Sequence, residues 1–290
     1  MATIRKRTAA ASPVQRLREQ VTALEAAIAL AISDPTKKPV HTARTCTRRI
    51  EALLELLRWM QRDAEAGYTL GLALRRTGKV RRLLREVRKS AGRVRDLDVQ
   101  TEMLDATSAG EKRKRLLKEG EELRRFLKER RGVEAEALVK ELEGHAAKLG
   151  PKLEAMLKRL EPVAKLTLTD DRLVELTRAW YEAAMVSSAG VEMQERLHGM
   201  RKRAKLARYI AEGGGRDAVK QAAGFECLQE SGGRWHDALT VAAPAKKRLG
   251  KKAVLVGVFR EREEDALGEF RGRLAEGGQV AQDAKDVSQG

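Results

Sequence analysis

The segments VHTARTCTRR, Val40 to Arg49, and LHGMRKRAKLARY, Leu197 to Tyr209, carry one pattern twice: a histidine, an arginine three residues on and a basic residue seven on. The residues are His41, Arg44 and Arg48 in the first segment and His198, Arg201 and Lys205 in the second, 157 positions later. At about 100° per residue, this spacing gathers the three side chains within roughly 60° of one helical face. Each half of the chain therefore builds the same cationic edge on a helix.

A second echo follows each histidine helix: Gly92-Arg93-Val94-Arg95-Asp96 in the first half and Gly233-Arg234-Trp235-His236-Asp237 in the second. Both are predicted as glycine-containing breaks between helices. Two elements recurring in the same order point to an internal duplication and a two-lobed, pseudo-symmetric architecture. His145 has Lys148 and Lys152 at the same offsets. That third copy is set aside because Gly150 and Pro151 should break the helix that would align it.

The 290 residues suit one large or two ordinary domains, and 42% hydrophobic residues suffice for cores. Lys and Arg number 59 against 42 acids, a net charge of +17, so the chain should attract polyanions. Cys46 and Cys227 stand in no paired spacing and read as small buried hydrophobes, which argues against a disulfide or a zinc site. The basic N-terminus has no apolar run behind it, and Ala26 to Ile32 is too short to span a bilayer. A cytoplasmic protein is expected.

Ala, Leu, Glu, Lys and Arg dominate with apolar residues at spacings of three and four, so the class is all-α. Residues 1–12 read as a disordered basic arm, 13–165 as an N-terminal helical bundle, 166–276 as a C-terminal helical bundle and 277–290 as a disordered tail. The boundary falls in Glu161 to Thr169, where Pro162 ends one helix and Thr169 can cap the next. Pro39 is placed at the first position of the second helix, which leaves His41 in a first turn that favours negative charge. Cys46, Ile50, Leu53, Leu54 and Leu57 take the opposite, core-facing arc. From Lys79 to Ala91, Val80, Leu83, Leu84 and Val87 form the apolar stripe, with Arg82, Arg85 and Arg88 among the charges on the other side. Only Glu86 opposes those charges within the segment, which marks them as candidate anion ligands. The charged helices between Glu111 and Leu160 read as solvated outer walls.

The two histidine segments, with GRVRDLDV from Gly92 and LQESGGRWHDAL from Leu228, resemble the CHAD family, the conserved-histidine α-helical domain, across roughly residues 13 to 275. Two departures are Gly232, where a leucine is usual, and His236, where the family often has asparagine. The resemblance implies one CHAD domain over 13–276: two four-helix bundles related by a pseudo-twofold axis around a basic central groove. It implies binding of inorganic polyphosphate and association with polyphosphate granules. The residues matching the family pattern are His41, Arg44, Arg48, Arg49, Arg95, His198, Arg201, Lys202, Lys205 and Arg208. His236 reads either as a residue of a helix N-terminal turn or as a phosphate ligand, and Asp96 or Asp237 could orient nearby basic side chains.

A flexible chain of phosphates offers closely spaced charge and no bases to read, so guanidinium forks and ammonium groups suffice for it. The alternatives are a binder of nucleic acid or another polyanion, or a non-catalytic partner of a phosphate-metabolising enzyme. Against nucleic acid, aromatics make up only 3% of the chain, and Trp59, Trp180 and Trp235 read as core or interface residues rather than stacking platforms. No Walker-type loop, metal cluster or nucleophile constellation is visible, and Glu119, Glu121, Glu134 and Glu136 lie in helical segments that point them to different faces. No catalytic residue, metal or cofactor is expected.

Overall fold

A computed structural model of the chain describes residues 9–10, 12–62, 67–186 and 192–287. The fold is all-α. Among the described residues the helices are α1 (Pro13–Ser33), α2 (Lys37–Met60), α3 (Gly67–Ala73), α4 (Thr77–Ser108), α5 (Lys114–Leu160), α6 (Asp170–Val186), α7 (Met193–Ala211), α8 (Arg216–Leu249) and α9 (Val254–Val287). A short 3₁₀ turn, Glu161–Val163, follows α5. Among the described residues a two-residue antiparallel ladder sets Ala9 against Thr169 and Ala10 against Leu168. That ladder orders part of the arm expected to be disordered; residues 1–8 and 11 lie outside the described residues.

Helix starts follow local chemistry. The Ser12 hydroxyl accepts from the Gln15 amide at 3.5 Å at the head of α1, and Thr169 accepts from the Arg172 amide at 3.3 Å at the head of α6, as its sequence position suggested. The second helix begins at Lys37, so Pro39 is its third residue rather than its first. Its missing N–H still costs nothing there, because first-turn amides have no intrahelical acceptor.

Three helices run through predicted breaks. α4 is continuous across Gly92, and α8 is continuous across Gly233. α5 passes through Pro151. A helix-interior proline costs about 3 kcal/mol. Burial of Leu149, Leu153, Met156 and Leu160 on one stripe, at roughly 1.5–3 kcal/mol each, outweighs it. Pro151 and Ala147, whose carbonyl the proline cannot serve, both face solvent. His145, Lys148 and Lys152 consequently share one helix after all, and the nearby Glu141 carboxylate is held below its ordinary value chiefly by hydrogen bonds from Arg93 and Ser90. α5 is also more than an outer wall, since its apolar stripe from Leu116 to Leu160 lines core throughout. At the other end of the chain, α9 continues to Val287, past the point where the tail was expected to begin.

The chain divides into two compact units. The first comprises Met1–Arg95, Val133–Gly190 and Arg203–Phe225; the second comprises Asp96–Gly132, Val191–Lys202 and Glu226–Gly290. The expected boundary, Glu161 to Thr169, lies inside the first unit. α4, α5, α7 and α8 each give one stretch to either unit, so no single cut in the sequence separates them.

The core of the first unit is built from α1 (Leu17, Leu24, Ile28), α2 (Cys46, Ile50, Leu53, Leu54, Leu57), α4 (Val80, Leu84, Val87) and the C-terminal part of α5. The second unit holds one cluster around Leu104, Leu123, Leu127, Val241 and Phe259 and another of Leu197, Trp235 and Phe270. Cys46 is buried as expected, whereas Cys227 is exposed.

Candidate functional site

In the first unit, His41 of α2 feels charges carried by α2, α4 and α7. Its imidazole is held below its ordinary value of 6.5, first by burial of part of the ring and then by the positive charges of Arg95, Lys205, Arg44 and Lys37. Arg95 comes from α4 and Lys205 from α7, so one histidine feels cations from three helices. Arg44 is able to lie close because α4 offers a glycine: a Cβ on Gly92 would sit 3.1 Å from the Arg44 guanidinium nitrogen. The glycine of the second echo thus clears space for the arginine of the first.

The neighbouring basic residues do different work. Glu212 accepts from Arg49 at 3.1 Å and from Arg208 at 2.7 Å, clamping α2 to α7. Both guanidiniums also lie over the Tyr209 ring, at 5.3 and 5.8 Å from its centroid, with the Lys205 ammonium at 5.9 Å. Burial raises the Tyr209 phenol, while Arg49, Arg208 and Arg48 oppose that rise. Arg48, Arg49 and Arg208 therefore gather around a buried tyrosine and a carboxylate, while Arg44, Arg95 and Lys205 act on His41.

On α4, Arg88 reaches Glu51 of α2 at 2.7 Å, and Arg81 pairs with Glu55. Arg93 is held by Glu134 at 2.7 Å and Glu141 at 2.6 Å. Acids supplied by other helices thus balance much of the charge that looked uncompensated along α4. Arg82 and Arg85 remain exposed, on the side away from the Val80, Leu84 and Val87 stripe.

In the second unit, His198 of α7 meets His236 of α8 with ring centroids 4.9 Å apart and planes tilted by 50°. His236 stands within α8, 20 residues after its start at Arg216, which excludes the N-terminal-turn reading. The Arg201 stem crosses α8 where the backbone is bare: a Cβ on Gly232 would lie 3.0 Å from Arg201 Cγ and 2.9 Å from the Phe270 ring. Phe270 in turn stacks on Trp235 at 6.0 Å. Lys202 is exposed beside Arg201. In each unit, then, the arginine three residues after the histidine packs over a glycine of a neighbouring helix.

Several structural partners escaped the sequence reading. Glu212 lies directly before the run Gly213-Gly214-Gly215, and that run was the available signal. A Cβ on Gly213 would overlap the Arg16 guanidinium, which donates to the carbonyls of Tyr209 at 3.2 Å and Ile210 at 3.4 Å at the end of α7. The Asp170 carboxylate accepts from the amides of Gly215, Asp217 and Ala218 at 2.7, 2.9 and 3.3 Å and so caps α8. Asp98 holds a basic side chain, accepting from Arg131 at 2.7 Å. Glu119 likewise accepts from the Leu255 amide at the start of α9, at 2.9 Å. Trp180 and Trp235 are buried, and Trp59 is covered by Arg62 at 3.7 Å.

The CHAD domain family profile matches residues 15–244, most of the chain and both histidine segments. The chain belongs to the CHAD domain family. A search of curated proteins returned no match. Two solved structures share the fold at low identity. PptA from Streptomyces chartreusis aligns at 18% identity and a TM-score of 0.61, covering 91% of this chain and 98% of its own. The CHAD domain from the plant Ricinus communis aligns at 15% identity and a TM-score of 0.56, covering 91% of this chain and 88% of its own. Within this CHAD chain, the departure at Gly232 has a local reason, because Phe270 fills the space a leucine side chain would take. Among the described residues no helix is long and apolar enough to cross a membrane, and no group of three or more His, Cys, Asp or Glu residues could hold a metal ion.

Proposed function

We propose that this protein binds inorganic polyphosphate without catalysing its turnover, and that it associates with polyphosphate granules. The observation that carries this reading is that Arg44, Arg95 and Lys205, from three helices, all act electrostatically on His41. A bound polyanion would meet several positive charges at once on this face. Guanidinium forks and an ammonium group satisfy phosphate oxygens with no base-reading element. His198, Arg201, Lys202 and His236 would supply the equivalent face in the second unit. Two four-helix bundles related by a pseudo-twofold around a basic groove belong to the same proposal, with the repeated motif as their support.

Competition tests it. Long-chain polyphosphate bound to the protein should resist displacement by duplex DNA, RNA and heparin at equal charge concentration. Displacement by all three as readily as by polyphosphate itself would reduce the reading to general polyanion binding. Phosphate release on incubation with polyphosphate and Mg²⁺ would overturn its non-catalytic part.

A further inference from the structure

One stretch of the first unit is almost bare of charge. From Val21 to Ser33, α1 has Glu25 as its single charged residue, in a chain that is 35% charged. Beside that stretch, α1 and α5 enclose an apolar cavity of about 260 Å³, walled by Leu24, Ile28 and Ile32 on one side and by Ala146, Gly150 and Leu153 on the other. Glu25 is the one charged residue of its lining. Two further exposed carboxylates flank it on α5: Glu143, three residues before Ala146, and Glu154, four residues after Gly150, stand on the same side of the helix. Among the described residues none of the three carboxylates is ion-paired. Lys148 and Lys152 each stand two residues from Gly150, nearly opposite it on the helix. An apolar groove with an acidic rim, on a chain of net charge +17, is complementary to an apolar side chain flanked by cations.

The chain carries such a segment within reach. Ile4 is followed by Arg5, Lys6 and Arg7, and residues 1–8 include no acid. The segment joins the described fold at the ladder, where Ala9 lies against Thr169. The ladder follows the turn after α5, and that end of α5 abuts the start of α1: the Ser12 hydroxyl donates to the Ala164 carbonyl at 2.7 Å, and Arg18 pairs with Glu161. The two helices run antiparallel from there, so the cavity lies further along both. Gly150 is about 15 Å back along α5 from Leu160. The five residues from Ile4 to Ala9 span up to about 17 Å. A tether this short holds the segment at an effective concentration on the order of millimolar, which a separate molecule would have to match.

We propose that the α1/α5 groove receives the chain's own basic segment, with Ile4 seated in the cavity and Arg5, Lys6 and Arg7 along its carboxylate rim. The seat is independent of polyphosphate binding. Disulfide trapping in the full chain tests it, in a Cys227→Ser background that removes the exposed thiol and leaves Cys46 buried. Ile4→Cys is combined with Gly150→Cys, where a Cβ meets nothing within 4 Å, or with Ala155→Cys, which is exposed on α5 and nearer the ladder. In a glutathione redox buffer the Gly150 pair should cross-link about fivefold faster than the Ala155 pair or better. Glu25→Gln, Glu143→Gln and Glu154→Gln together should slow the Gly150 pair about threefold or more. Equal rates at the two positions would overturn the seat, and so would cross-links between two chains in place of one, which would assign the groove to a second copy's segment. A second readout needs no cross-link: with Gly150→Cys alone, the thiol should react with a bulky maleimide about fivefold faster once residues 2–8 are deleted. An unchanged rate there would equally overturn the proposal.

Discussion

His41 shows how a basic face is tuned one residue at a time. Burial and the surrounding cations hold its pKa below 6.5, so in the free protein the ring is neutral at pH 7. The unfolded chain takes up the proton more readily; His41 therefore favours folding above about pH 6.5, and that contribution is lost as pH falls through the depressed folded value. A bound polyanion reverses the local field and raises the pKa. Polyphosphate binding should then take up protons, and affinity should rise from about pH 7.5 to about pH 5.5. Calorimetry in buffers of different ionisation enthalpy reads this uptake directly; the same uptake in His41→Gln would assign it elsewhere. Gly213 allows a second test at this scale. In Gly213→Ala the new methyl group displaces the Arg16 guanidinium from the carbonyls of Tyr209 and Ile210, costing about 1–3 kcal/mol. In an Arg16→Ala background the same substitution should cost far less, and additive urea-unfolding free energies would contradict the contact. The cores of α2 and α4 were legible because apolar period alone specifies them. The role of Gly213 was not, since nothing in a glycine run says which distant side chain fills the space.

At the scale of elements, the all-α class and the starts of α1 and α6 could be read from composition, spacing and capping residues. The expected breaks at Gly92, Pro151 and Gly233 could not, because a local breaker costs about 1–3 kcal/mol while a long apolar stripe returns several times that. Gly92 and Gly232 are better understood as places of close approach inside a helix. Each admits an arginine from a histidine helix. The charges of α4 were misread for a related reason: a sequence window shows Arg88 without the Glu51 that another helix brings to it. Asp170 illustrates the same non-local logic at a helix end. Asp170→Ala removes the acceptor for three amides at the start of α8 and should destabilise the protein by about 1–2 kcal/mol, with Asp170→Asn less damaging. An unchanged urea midpoint in Asp170→Ala would show that the cap is dispensable.

At the scale of the whole molecule, the charge of +17 makes attraction to any polyanion unsurprising. The account depends instead on where that charge is spent. Arg49, Arg81, Arg88, Arg93 and Arg208 are engaged by carboxylates within the fold, and Arg44, Arg95 and Lys205 act together on His41. This division could not be read from composition, since both groups consist of the same residue types on the same helices. Neutralising several phosphates releases their condensed counterions, so affinity should fall steeply with salt, and a salt-insensitive affinity would contradict the mechanism. The most direct measurement is the affinity of long-chain polyphosphate for two folded variants of equal net charge. One carries Arg44→Glu and Arg48→Glu on α2; the other carries Lys114→Glu and Lys118→Glu, exposed on α5. The account predicts a loss of about tenfold or more in the first and a small change in the second. Equal losses in both would contradict it.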